Sequence, residues 1–260
     1  MTMNLKRLFL PICLVGVTLF ASAQETMKPE DTEVWQPVPV VIDASVGRAP
    51  SDALILFDGK NLDQWESLKR PGEKADWPVH DGVFTVNKAA GDIRTRQEFT
   101  DYQLHLEYRI PTDIEGEGQA RGNSGIYLAA TPSGQGYEIQ ILDSYQNKTY
   151  SNGQVGAIYK QIIPLANPAR KPGEWQVYDI VWKAPRFNAD GSLKEAARVT
   201  AFLNGVLLHH DVKLSGETLY IGKPAYHAHG PLPIKLQAHG DKSKPISFRN
   251  IWVRPLIANL

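Results

Sequence analysis

The sequence predicts an all-β fold, a sandwich of antiparallel sheets. Three observations carry this. From residue 53 onward, short runs of alternating apolar and polar side chains are separated by turn residues. Two of the turns, Asp81-Gly82 and Asn204-Gly205, are the dipeptides that close tight hairpins. No segment sustains a helical period, and no internal repeat is visible.

In chain order, the first strand is expected at 54–57, followed by the turn Asp58-Gly59. Residues 77–79 and 83–86 form a hairpin about Asp81-Gly82. The run 102–110 alternates most clearly, with Tyr102, Leu104, Leu106, Tyr108 and Ile110 on one face. A glycine- and charge-rich loop at 113–122 leads to a strand at 123–129, and a further strand covers 136–142. A short strand is expected at 155–159. Strands at 175–183 and 198–203 are joined by a polar loop, 184–197. Asn204-Gly205 turns the chain into 206–211, and 233–239 and 246–253 close the domain.

The first 23 residues read as a cleavable export leader. Lys6 and Arg7 precede an apolar run, 8–20, and Ala21-Ser22-Ala23 offers a cut before Gln24. About 13 apolar residues are too few for a membrane-spanning helix, which needs roughly 20. The expected location is therefore periplasmic or secreted, with no membrane contact after cleavage. Residues 24–52, rich in Pro, Glu and Val, read as an extended arm before a single β domain, 53–260. The only cysteine, Cys13, lies in the leader, so the mature chain has no disulfide, thiol nucleophile or thiolate metal site. Without Lys6 and Arg7 its net charge is about −2, which offers no basic field for nucleic acid.

Three polar sets can carry chemistry. In the run 136–143, Tyr137, Ile139 and Ile141 face one way, while Glu138 and Gln140 face the other with Asp143 just beyond. Arg121-Gly122-Asn123-Ser124-Gly125 opens the preceding strand, and Lys235, Gln237 and His239 share a face by period two. If the strands pair in one sheet, a carboxylate, amides and an imidazole meet on one surface suited to a hydroxyl-rich ligand and proton transfer. The bland reading is solvated strand faces and turn residues. His227-Ala228-His229, with His239 and Asp241 close in sequence, offers ligands for a divalent cation, although nothing requires a cofactor. His209 and His210 point to opposite faces of a strand and read as structural. There is no nucleophile elbow, phosphate loop, zinc-helix motif or dinucleotide fingerprint.

Leu56-Phe57-Asp58-Gly59-Lys60-Asn61-Leu62 with Trp65, Gly122-Asn123-Ser124-Gly125-Ile126-Tyr127, Tyr137-Glu138-Ile139-Gln140-Ile141-Leu142-Asp143, Gly173-Glu174-Trp175, Leu203-Asn204-Gly205, Leu236-Gln237-Ala238-His239-Gly240 and Phe248-Arg249-Asn250-Ile251 occur in this order. The ordered set resembles the 3-keto-disaccharide hydrolase family over roughly residues 53–256. The resemblance implies a concanavalin A-like jelly roll, export from a bacterial cell, and cleavage of glycosides oxidised at C3. A C3 ketone makes the C2 hydrogen acidic, so one base and a donor for the enolate suffice. Glu138 or His239 is the expected base, and Asp143 a further acid. Arg121, Asn123, Ser124, Tyr127, Gln140, Lys160 and Gln237 are expected to bind substrate oxygens. Oxidation at C3 would fall to a separate oxidoreductase.

Two other readings compete. Glu138-x-Gln140-x-x-Asp143 also resembles the acidic strand of laminarinase-type glucanases. A retaining mechanism needs carboxyls about 5–5.5 Å apart, whereas residues five apart on a strand span roughly 16 Å. The third class is a lectin-like domain that binds sugar without cleaving it.

Overall fold

The computed structural model describes residues 27–256, so the expected leader lies outside the described residues. Residues up to Val41 form a unit of their own, whose described regular element is a 3-10 turn, Pro29–Thr32. The second unit begins at Ile42 and carries the strands.

Its strands are β1 Leu54–Phe57, β2 Trp65–Ser67, β3 Val79–His80, β4 Val83–Thr85 and β5 Ile93–Phe99. Next come β6 Tyr102–Arg109, β7 Ser124–Ala130, β8 Gly136–Ile141, β9 Trp175–Lys183 and β10 Arg186–Phe187. The last are β11 Leu193–Glu195, β12 Arg198–Leu203, β13 Val206–Lys213, β14 Leu232–Leu236 and β15 Ser247–Pro255. The larger sheet runs β13-β12-β9-β6-β15-β4-β3, with β1 sharing the β4 edge of β15. The smaller runs β2-β5-β14-β7-β8, and every pairing is antiparallel. The two sheets make the expected jelly-roll sandwich.

Alternation decides which side chains fill the space between the sheets. Leu104, Leu106 and Tyr108 on β6 and Tyr178, Ile180 and Trp182 on β9 are buried there. They meet Ile126 and Leu128 on β7, Tyr137, Ile139 and Ile141 on β8, and Ile234 and Leu236 on β14. The Tyr178 hydroxyl donates to the Gln140 carbonyl at 2.7 Å, and the Tyr137 and Trp182 rings lie 5.1 Å apart. These bonds pin β8, an edge strand, to the opposite sheet. Asp81-Gly82 and Asn204-Gly205 both have positive φ, as a tight hairpin requires.

Three expectations needed correcting. β2 and β5 were not expected. β5 reads Ile-Arg-Thr-Arg-Gln-Glu-Phe, and it buries Ile93, Thr95 and Phe99, too sparse an apolar pattern to announce a strand. The loop 184–197 contains the small β10–β11 ribbon. The segment 155–159 forms no strand: Ile158 makes isolated bridges to Ile139, on the free edge of β8, and to Ile162.

The outer face of the larger sheet holds a polar ladder with a pH signature. His105 Nδ1 lies 2.7 Å from Asp179, and its ring stacks on Trp252 at 5.0 Å. Glu107 accepts from Arg249 at 2.6 Å and from Asn250 at 2.8 Å. Burial disfavours the imidazolium, but the Asp179 and Glu107 hydrogen bonds outweigh it and raise its pKa from 6.5 to about 9. Burial likewise opposes ionisation of Glu107, yet His105, Asn250 and Arg249 lower it from 4.5 to about 2. A raised histidine stabilises fully below 6.5 and stops stabilising as pH climbs through 9. A depressed carboxylate stabilises above 4.5 and fails as pH falls through 2. Thermal melts of His105→Gln and the wild type should thus diverge most between pH 4.5 and 6.5. The gap should be about 1–2 kcal/mol after solvent screening and should close towards pH 9. A gap that does not change with pH would reject this account.

Candidate active site

The smaller sheet turns a second row of side chains away from the core. On β8 these are Glu138 and Gln140, and in the register Glu138 sits opposite Tyr127 and Gln140 opposite Gly125 on β7. Tyr127 in turn faces Lys235 on β14, and Lys235 faces Arg94 on β5. An outward strand face is ordinarily wet, but here Glu138 is only 4% exposed and Gln140 1%. The segment 156–159 extends the sheet along the edge of β8, where Tyr159 N donates to the Glu138 carbonyl and Gln140 N to the Ala157 carbonyl, and the Tyr159 and Tyr220 side chains stand beside Glu138 and Gln140. Thr218, from the loop after β13, accepts from Glu138 N at 3.1 Å.

These side chains line a chamber of about 240 Å³ that is open on one side. Tyr127, Glu138, Gln140, Gln237 and His239 line it, and Glu138 is its one carboxylate among the lining residues. Burial pushes the Glu138 carboxyl from 4.5 up to about 7, against the pull of the Tyr127 hydroxyl and the Lys235 ammonium. The carboxyl fits because position 125 is glycine: a Cβ there would stand 2.3 Å from Glu138 Oε1. Burial also holds the Tyr127 phenol well above its usual range, so it stays a neutral donor. Lys235 is itself buried. It donates to Asp92 at 3.0 Å and to the Gly134 carbonyl at 2.7 Å, with its Nζ 3.4 Å from the Tyr127 ring centroid.

His239 follows β14 in a loop. Its Nδ1 lies 2.8 Å from Asp241 Oδ2 and 3.3 Å from Asp241 N, and Nε2 has no hydrogen bond among the described residues. Asp241 is fixed in turn by Ser243 N and the Lys88 ammonium, and these bonds outweigh burial to keep its pKa below the usual value. The amides form a second network. Gln140 donates to Asn123 Oδ1 at 3.0 Å, Asn123 donates to the Gln119 carbonyl at 2.7 Å, and Gln237 Oε1 is buried with no partner.

A second chamber of about 480 Å³ adjoins the first and shares Asn123, Tyr159, Tyr220 and His239 with it. Tyr150 and Gln119 complete its wall, and Asp241 reaches it behind His239.

The structure gathers Glu138, Gln140, Asn123, Tyr127, Gln237 and His239 from the expected residues. It sets four others apart. Asp143 Oδ2 accepts from Arg121 Nε at 2.6 Å, and this pair lines a different depression. Leu142 is buried beyond the end of β8, where the chain leaves the sheet and carries Asp143 away from Glu138. Ser124 pairs with core-facing Ile141, so its hydroxyl points away from the chamber and donates to the Gln237 carbonyl at 2.7 Å. Lys160 lines neither chamber. It donates to the Tyr220 carbonyl at 2.7 Å and lies 4.1 Å from that ring's centroid. His227 bonds Glu217 and His229 bonds the Tyr137 hydroxyl, so the two histidines do not converge. Among the described residues no group of three or more His, Cys, Asp or Glu gathers to hold a metal.

Sequence reasoning missed Asp241 as the partner of His239, and missed Gln119, Tyr150, Tyr159, Thr218 and Tyr220. All of these stand on loops or next to them, where no periodicity reports direction.

Comparison with known proteins agrees with this architecture. A crystal structure of a candidate glycosyl hydrolase from Parabacteroides distasonis ATCC 8503 shares 54% identity over 88% of this chain and 97% of its own, with a TM-score of 0.84. Two further candidate glycosyl hydrolases of that organism, 24% and 19% identical, cover 78% and 79% of this chain at TM-scores of 0.54 and 0.55. They cover 99% and 94% of their own lengths and share the fold. No curated protein matches the chain. Residues 52–254 match the 3-keto-alpha-glucoside-1,2-lyase-like domain, a carbohydrate-active family, and the chain belongs to that family.

Proposed function

We propose that the protein cleaves glycosides oxidised at C3, by eliminating the group on C1 and then hydrating the product. The observation that carries this is the composition of the inner chamber. It has one buried carboxyl that titrates near neutrality and one imidazole, not a pair of carboxylates. A glycosidase acting through an oxocarbenium ion uses two carboxyls. Abstraction of an acidified C–H needs one base with a pKa near the working pH. The 1,2-lyase named in the family's description fits the same chemistry.

The steps balance as follows. Glu138 takes the C2 proton, and the electron pair delocalises onto the C3 ketone oxygen, where the Tyr127 hydroxyl or the Gln237 Nε2 amide stabilises the enolate. The pair then returns to form C1=C2, and the C1–O bond breaks. His239, in its imidazolium form with Nδ1–H held by Asp241, gives its Nε2 proton to the departing oxygen. Water then adds its oxygen to C1 and gives a proton to His239, while Glu138 returns its proton to C2, which yields the free 3-keto sugar and resets both groups. A positioned base supplies about 10²–10⁴-fold and an oxyanion donor a further 10²–10³-fold. Asp143 and Arg121 have no part in these steps. The leader at residues 1–23, cut between Ala23 and Gln24, would place this activity in the periplasm or outside the cell. A separate oxidoreductase would supply the ketone.

The direct test is release of the C1 substituent from a 3-keto-glucoside and from its unoxidised parent, with and without chelator. Cleavage of the keto sugar alone is expected. Cleavage of the parent, together with loss of activity in Asp143→Asn beyond its loss of stability, would restore the two-carboxylate reading. Binding of both sugars without turnover would favour a lectin-like domain, a reading supported by the exposed rings of Tyr150 and Tyr220.

A further inference from the structure

We infer that the outer chamber is a subsite for the departing group, built to hold a leaving group with a flat ring face. This rests on the elimination reading above and adds what the enzyme requires of the far side of the scissile bond. His239 lines both chambers, so the bond it protonates lies where they join. With the oxidised ring in the inner chamber, whatever leaves C1 must occupy the outer one.

The two chambers differ in chemistry. The inner wall offers amides, hydroxyls and a carboxyl, which would fix one sugar by its oxygens. The outer wall shares Tyr159 and Tyr220 with the inner one, lacks Glu138 and Gln140, and adds the Tyr150 ring, which makes it the more apolar of the two. Tyr220 is 70% exposed and Tyr150 41%. Large rings left in water at the mouth of a polar pocket mark a contact surface. Such rings stack on the C–H face of a pyranose or on an aryl group, and gain little from a short alkyl chain.

The rings are also held in place. The Tyr150 and Tyr159 hydroxyls bond each other at 2.7 Å. Lys160, between the loops, anchors the Tyr220 carbonyl and lies 5.8 Å from the centroids of Tyr150 and Tyr159. It does so from a left-handed backbone conformation, φ +57°, which is uncommon for a residue other than glycine, asparagine or aspartate. Such a conformation persists where surrounding structure enforces it, and it is a recurrent feature of ligand clamps. Tyr150 is the informative position because it lines the outer chamber and not the inner one.

The test compares three 3-keto-glucosides whose departing groups are methanol, benzyl alcohol and glucose, with wild type, Tyr150→Ala and Tyr150→Phe. For the wild type, kcat/KM should favour the ring-bearing groups over methyl. In Tyr150→Ala that preference should fall by about five- to tenfold, mainly through KM, and Tyr150→Phe should restore most of it. A fall confined to benzyl would assign the site to aryl groups, and a fall for both would assign it to rings in general. Equal loss on all three substrates, or none, would overturn the inference. If the wild type cleaves none of them, the elimination reading fails separately. Calorimetric titration with the unoxidised methyl and benzyl glucosides then decides the subsite: tighter benzyl binding that Tyr150→Ala abolishes upholds it, and equal affinities reject it.

Discussion

Glu138→Gln is expected to lower turnover of a 3-keto-glucoside by about 10²–10⁴-fold and, above pH 7, to make the protein more stable. The two effects have one cause. Burial raises the Glu138 carboxyl from 4.5 to about 7, because the charged form loses its water in exchange for one phenol and a nearby ammonium. A folded-state pKa above the unfolded value means that the folded chain binds the extra proton. Stability is then highest below 4.5 and declines as pH rises to 7, where the full cost of holding the anion is reached. That cost is on the order of 3 kcal/mol. An amide has the same shape and no charge, so it removes the cost. Calorimetry should show coincident melting of the two proteins near pH 4 and a higher melting temperature for the variant at pH 8. An equal shift at both pH values would mean that burial of the charge is not what the mutation relieves. The wild type's kcat/KM should rise through a limb near pH 7 that the variant lacks.

This sets stability and activity against each other along the pH axis. Glu138 acts as a base only when ionised, above about pH 7, where it costs most stability. The His105–Glu107 ladder contributes most between 4.5 and 6.5 and weakens as His105 loses its proton. Both groups therefore favour a mildly acidic optimum for folding and a neutral or higher one for chemistry. A functional site that spends stability on a buried charge is a familiar compromise.

How much of this was legible beforehand depends on periodicity. β6, β8, β9 and β12 could be read because each buries one face against the core, so every second side chain is apolar. β5 could not, because Thr95 stands at a core position and Arg94 and Arg96 flank it. The strand-borne part of the site, Glu138, Gln140 and Tyr127, followed from period two plus the pairing of β7 with β8. Grouping Ser124 with its chain neighbours ignores its face, since alternation sets it opposite Tyr127, towards the core; nor could alternation show that Asp143 lies past the end of β8. The tyrosine wall and the Asp241 clamp were invisible because two loops distant in sequence bring them together. Burial was hidden as well. An alternating Glu-x-Gln reads as a wet face, and side chains from distant loops, Tyr159, Thr218 and Tyr220, turn it into a pocket wall.

Gly125→Ala should be nearly as damaging to turnover as some changes to the base itself, although it adds only a methyl group to a residue that touches no substrate. Glycine within a strand weakens it by roughly 0.5–1 kcal/mol relative to alanine, so its presence as the second residue of β7 asks for a reason. Its φ is not in the left-handed region, and backbone conformation is therefore not that reason. Space is: an added Cβ would meet Glu138 Oε1 at 2.3 Å, Cδ at 3.0 Å and Cγ at 3.1 Å. All three atoms belong to one flexible side chain, which can swing aside while both strands stay paired. Stability should consequently remain within about 1 kcal/mol of wild type. The carboxyl, however, moves on the order of 1 Å, and such a misplacement costs about 10²-fold in rate. The decisive measurement is a double-mutant cycle with Glu138→Asp, whose shorter side chain leaves room for the methyl. If the clash is the mechanism, the double variant loses less activity than the product of the two single losses. Strict additivity would show that Gly125 and Glu138 act independently, and full activity in Gly125→Ala would show that the position of the carboxyl does not limit the reaction.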